Sequence, residues 1–121
     1  MKIESYRDLI VWQKSKILTV KIYELTEDFP KEELYGLTSQ IRRSSVSITS
    51  NIAEGRGRGT RKDFVQFLRI SLGSCYELNT QLEIGQELPK TKSFNYEEIF
   101  SLLEEVTKML HVMINKLATK S

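Results

Sequence analysis

The stretch FVQFLRISLGSCYELNTQLEIG, residues 64–85, decides the fold. Phe64, Leu68, Ser71, Cys75, Leu78, Leu82 and Gly85 recur at alternating steps of four and three. A helix turns once every 3.6 residues, so these positions share one face, whereas a strand would need a period of two. Ser71, Cys75 and Gly85 interrupt the large side chains with small ones. Phe67, Ile70 and Leu72 widen the stripe.

Outward from this segment the same logic finds three more helices. Thr60 with Asp63 reads as a capping pair, so the third helix spans 61–88, roughly 40 Å at 1.5 Å per residue. Downstream, Ile99, Leu103, Val106, Leu110, Met113 and Leu117 repeat the four-three pattern and predict a helix over 96–118, with Asn95 as N-cap. Upstream, Leu37, Ile41, Ser45, Ile48 and Ile52 predict a helix over 37–54, closed by Gly55 as a left-handed C′ residue. This segment is rich in hydroxyls (Ser39, Ser44, Ser45, Ser47, Thr49, Ser50), which suits a helix packed on more than one side. A first helix over 5–28 follows from Val11, Leu18, Ile22 and Leu25, with Ser5 and Asp8 as its cap and Pro30 beyond its end. Four amphipathic segments on short links specify an all-α fold, an antiparallel up-down-up-down four-helix bundle occupying residues 1–121 as one domain.

Composition agrees. The chain has 121 residues, 40% hydrophobic and 28% charged, enough for one core without staples. The single cysteine permits no intrachain disulfide and suits a reducing compartment. The opening residues are polar and no apolar run reaches the roughly 20 residues of a membrane span, so a cytoplasmic location is expected. Apolar residues outside the seams (Trp12, Tyr23, Phe67, Ile70, Leu72, Leu102, Met109, Val112) exceed what a lone bundle buries, which predicts a homo-oligomer.

No catalytic or metal constellation is legible. A di-iron bundle needs inward glutamates and two Glu-x-x-His pairs, but His111 is the sole histidine and Lys108 stands three before it. Cys75 has no histidine partner and falls on the seam. Gly55-x-Gly57-x-Gly59 follows a helix and lacks a Gly-Lys-Ser/Thr end, unlike a phosphate loop. No cofactor is implied.

The charge pattern is more informative. The net charge is +2, yet Arg42, Arg43, Arg56, Arg58, Arg61 and Lys62 stand against Glu54 alone between Gln40 and Lys62. This basic segment is the candidate nucleic-acid contact. Arg42 and Arg43 admit two readings, ligand contacts or solvated arginines that pair with acids, Arg43 sharing a helix face with Glu54. Arg56, Arg58, Arg61 and Lys62 occupy a flexible turn or a helix start where backbone N–H groups attract anions. No aromatic interleaves with the basic residues from 40 to 62, so base stacking is not suggested there.

The motif YGLTSQIRRSSVSITSNIAEG, residues 35–55, resembles the hallmark of a bacterial four-helix bundle family encoded by intervening sequences of large-subunit ribosomal RNA genes. The opening YRDLIVWQK, residues 6–14, and the GSCYELNTQLE run, residues 73–83, are similar to the same family, so the resemblance covers nearly the whole chain. Thr49 departs from the pattern, in which proline is usual, and implies a straighter second helix. The resemblance implies a homopentameric ring and a non-enzymatic role. A more distant resemblance, to the accessory variability protein of diversity-generating retroelements, implies a basic pentamer that binds nucleic acid and a reverse transcriptase. Two functions are therefore expected: a nucleic-acid-binding oligomer, RNA first, or an interaction scaffold for a reverse transcriptase or other acidic protein partner.

Overall fold

The structure, a computed structural model, describes residues 5–119; Met1 to Glu4 of the polar opening lie outside the described residues. Four helices make up the bundle: α1 (Ile10–Thr26), α2 (Leu37–Gly57), α3 (Arg61–Glu87) and α4 (Glu97–Ala118). Each packs against its sequence neighbours, and α1 also packs on α4, closing the square. Among the described residues there is no strand.

Hydrogen bonds and ion pairs mark three of the four helix contacts as antiparallel. Arg42 reaches Thr26 and Thr19 reaches Ser45 between α1 and α2. Ser44 meets Glu77, Ser47 meets Ser74 and the Ser71 hydroxyl donates to the Ile48 carbonyl at 3.0 Å between α2 and α3. Lys14–Glu105 and Lys21–Glu98 pair α1 with α4 at 3.0 and 3.2 Å. The hydroxyl-rich α2 is thus fastened on two sides, as its composition predicts. Net bonds of this kind contribute about 1 kcal/mol each.

Most of the seams read from the sequence form the core: Val11, Leu18 and Ile22; Ile41, Ile48 and Ile52; Leu68, Cys75, Leu78 and Leu82; Ile99, Leu103, Val106 and Leu110 are all buried, Tyr96 joins them, and Leu25, Leu37 and Phe64 are only half-buried. Burying each leucine or isoleucine stabilises the fold by about 1.5–3 kcal/mol. Residue 49 lies within an unbroken α2, and its hydroxyl is 3.3 Å from that of Thr19.

Four local expectations change. The Ser5–Asp8 capping box forms, but it closes a 3-10 turn (Tyr6–Asp8), and extended Leu9 separates that turn from α1. The break lets the Tyr6 ring meet the Trp12 ring edge-on at 5.1 Å. Gly55 does not end α2. The helix runs on to Gly57, Arg58 N–H donates to the carbonyls of Glu54 and Gly55, and the left-handed residue is Gly59 at φ +89°. Tyr96 takes the N-cap position of α4, although the Asn95 Oδ1 still accepts from Glu97 N–H at 3.0 Å. Late in α4 the buried residue is Ile114, with Met113 and Leu117 half-buried. A straight helix drifts about 20° per heptad, which carries the stripe off Met113 and onto Ile114.

Candidate nucleic-acid interface

The fold splits the basic segment. Arg42 and Arg43 lie in the second turn of α2, and Arg56 lies in its last turn, roughly 20 Å away at 1.5 Å rise per residue. Arg42 is half-buried: its Nε donates to Thr26 Oγ1 at 2.8 Å and its guanidinium lies 4.6 Å from the Tyr23 ring centre. Arg42 therefore joins α2 to α1. Arg43 is exposed. It does not pair with Glu54, which instead pairs with Arg58 at 2.5 Å, one turn on.

Arg56, Arg58, Arg61 and Lys62 come together where α2 hands over to α3. Arg58 also stacks over Phe67, 5.0 Å from the ring centre, and the Glu54 carboxylate bonded to it holds the guanidinium yet more firmly protonated. Thr60 accepts from Asp63 N–H, so α3 begins at Arg61. Arg61 and Lys62 are thus exposed cations on the helix turn that already carries positive partial charge.

The antiparallel registers place further charges at that end. Arg7 precedes α1, Arg69 lies two turns into α3, and Lys116 lies in the last turn of α4. Against these cations stand Asp8, Glu54 and Asp63. The opposite end holds Glu24, Glu27, Asp28, Glu32, Glu33, Glu87, Glu97 and Glu98, offset by Lys21, Lys31, Arg42, Arg43, Lys90 and Lys92, so acids still outnumber cations there. Lys90 pairs with Glu32 at 2.5 Å there. A chain of net charge +2 thus folds into a bundle with one basic and one acidic end.

A second grouping escapes the sequence reading. Tyr23, Leu34, Tyr35, Thr38, Ser39, Arg42, Arg43 and Val46 line a hollow of about 500 Å³. The aromatics absent from residues 40–62 are supplied from outside that segment. Tyr35, Ser39, Arg42 and Val46 step by four, three and four, so extending the α2 period upstream would have found Tyr35. Tyr23 depends on the α1–α2 register and leaves no local signal.

Among the described residues the candidate nucleophile, Cys75, sits in the core and is not activated. Burial pushes the Cys75 thiol up to about 11, with the Thr107 hydroxyl partly opposing. His111 is exposed, its Nε2 2.7 Å from the Tyr76 hydroxyl. Among the described residues no group of three His, Cys, Asp or Glu side chains could hold a metal ion. No helix of the described residues is long and apolar enough to cross a membrane.

Residues 7–112 match the model of the 23S rRNA-intervening sequence protein family. The chain belongs to this family. Its matched span takes in both basic groupings and the tyrosine-lined hollow. A solved structure from Bacteroides thetaiotaomicron VPI-5482, described as a protein of unknown function from the S23 ribosomal protein family, is 28% identical, with a TM-score of 0.72 over 87% of this chain and 98% of that one. Curated proteins gave no match.

Proposed function

We propose that this protein is a non-enzymatic, cytoplasmic homo-oligomer that binds nucleic acid, RNA first, through the basic end of its bundle. The observation that carries this reading is the gathering of Arg56, Arg58, Arg61 and Lys62 with Arg7 and Lys116 at one end while the acids collect at the other. Arg42 and Arg43 contribute from a separate place. Contacts to phosphates of this kind are sequence-tolerant and weaken steeply with salt.

The oligomer has its own support on α3. Ile70, Tyr76 and Ile84 are exposed beside Gly73, a mid-helix glycine whose added Cβ would meet nothing within 4 Å. Glycine there costs about 1 kcal/mol relative to alanine and no contact within the chain requires it. Gln81 lines the adjoining groove, and its Oε1 is buried beneath the surface with no partner among the described residues. A second subunit packed across Gly73 accounts for the exposed apolar side chains and the open glycine, and the family resemblance implies five subunits. Light scattering at micromolar concentration should give a multiple of the 14.1 kDa chain mass, reduced by Gly73→Leu. A stable parent monomer refutes the assembly.

Filter binding with structured RNA across a salt series tests the function. Micromolar or tighter binding should fall in the Arg56→Ala/Arg58→Ala/Arg61→Ala variant, with a salt slope shallower by up to about 0.9 per lost phosphate contact. No binding at low salt refutes it. The apolar strip of Trp12, Ile17 and Val20 along α1 favours a scaffold as the second reading. Co-purification after nuclease treatment separates the two: a stoichiometric protein partner supports the scaffold, and nucleic acid alone refutes it.

A further inference from the structure

The hollow at the start of α2 has a chemistry of its own. Two arginines line it and no carboxylate does. The Nε bond to Thr26 and the stacking on Tyr23 fix Arg42 yet leave its Nη groups without a partner among the described residues. Among the described residues Arg43 has no such partner. Tyr35 is 94% exposed, so almost its whole ring is offered to solvent.

The floor supplies an independent observation. Thr38 is 2% exposed and its Oγ1 has no hydrogen-bond partner among the described residues. Thr19, Thr26 and Thr107 turn their hydroxyls onto the carbonyl four residues earlier. Thr38 does not. A buried hydroxyl left unsatisfied is costly; this one is closed to solvent as it stands, and a turn of the Thr38 side chain toward the hollow would let a ligand relieve it.

We propose that this hollow binds a nucleotide. The base stacks on Tyr35, Arg42 and Arg43 take the phosphate, and Thr38 Oγ1, turned toward the hollow, bonds a polar group of the ligand. An aromatic face, two cations, an unsatisfied hydroxyl and no acid suit a ring that carries an anion better than either part alone. The volume of about 500 Å³ falls in the range of small-ligand sites. The site rests on the nucleic-acid reading only in treating Arg42 and Arg43 as ligand groups, and the basic end plays no part in it.

Calorimetric titration of the full chain with AMP, adenosine, inorganic phosphate and an adenylate hexanucleotide tests this. AMP should fill one site per chain, with adenosine and phosphate each weaker by about tenfold or more. Tyr35→Ala and Arg43→Ala, both at exposed positions, should each weaken AMP by about tenfold, while Tyr35→Phe binds as the parent does. The Arg56/Arg58/Arg61 triple variant should leave AMP binding unchanged even where RNA binding fails. Equal affinity for AMP and the hexanucleotide marks a mononucleotide pocket, and tighter binding of the hexanucleotide marks one position on a strand; both support the site. Phosphate binding as tightly as AMP overturns it, as does AMP binding that follows the triple variant. Tyr35→Ala that changes the assembled mass without changing AMP binding also overturns it, and assigns the hollow to a subunit contact.

Discussion

Replacing Gly55 with alanine should destabilise the bundle, although alanine is the better helix former. Gly55 sits in the last turns of α2, where a Cβ would lie 2.5 Å from the Phe67 Cβ and 3.3 Å from Phe64 Cδ1 and Phe67 Cγ. Carbon atoms in contact prefer about 3.5–4.0 Å, so α2 and α3 must part by about 1 Å. The Phe67 Cβ is anchored to the backbone and no rotamer removes the overlap. An overlap this deep against a backbone-anchored atom lies in the upper part of the overpacking range, about 2–3 kcal/mol, and alanine returns about 1 kcal/mol of propensity. The net loss is about 1–2 kcal/mol. With an unfolding entropy of about 2.1 cal/mol/K per residue over 121 residues, Tm should fall by about 4–8 °C. Far-UV circular dichroism at a fixed protomer concentration measures this, since assembly makes Tm depend on concentration. Gly57→Ala is the control: nothing lies within 4 Å of its Cβ, so its Tm should hold or rise. A Gly55→Ala protein as stable as the parent would refute the close approach of α2 and α3.

Other perturbations follow from single contacts. Tyr96→Phe removes the hydroxyl that donates to the Thr91 carbonyl at 2.8 Å, inside the knot in which the Thr91 hydroxyl donates to the Gly85 carbonyl; about 1 kcal/mol should be lost in urea unfolding. Thr26→Val should cost a similar amount, and a double-mutant cycle with Arg42→Ala should give a coupling of about 0.5–1.5 kcal/mol; additive losses would show that the Thr26–Arg42 bond contributes nothing. Cys75 supplies a pH dependence. Its folded thiol titrates near 11, against an ordinary 9.0, so the unfolded chain loses that proton first. This contribution is fully present below pH 9 and falls by up to about 1.4 kcal/mol per pH unit between 9 and 11. Urea midpoints of parent and Cys75→Ala should therefore converge or cross over that window, and a constant difference would contradict the assignment.

The four helices and most of the core were legible because each buried face repeats at a helical period within one segment. Val11, Ile48, Leu78 and Leu103 needed only their neighbours in sequence to be placed. What was not legible depended on a second segment. Gly55 reads locally as a helix terminator, and only the passage of Phe67 beside it gives its actual reason. The basic run from Arg42 to Lys62 is contiguous in sequence but divided in space, because an intact α2 carries Arg42 and Arg56 roughly 20 Å apart. Conversely, Tyr23 and Arg43 are distant in sequence and line one hollow, a juxtaposition set by the α1–α2 register.

The two-ended distribution of charge bears on how copies can associate. Subunits that stand side by side and point the same way bring cations against cations at one rim and carboxylates against carboxylates at the other. Such a ring is opposed by electrostatics and held by its apolar contacts. Added salt shortens the range of that repulsion to about 8–10 Å near physiological strength and less above it. Assembly should therefore tighten across the same salt range in which RNA is released. Opposite responses to one titrant would distinguish a ring of co-oriented subunits from a head-to-tail stack, which joins unlike ends and comes apart as salt rises.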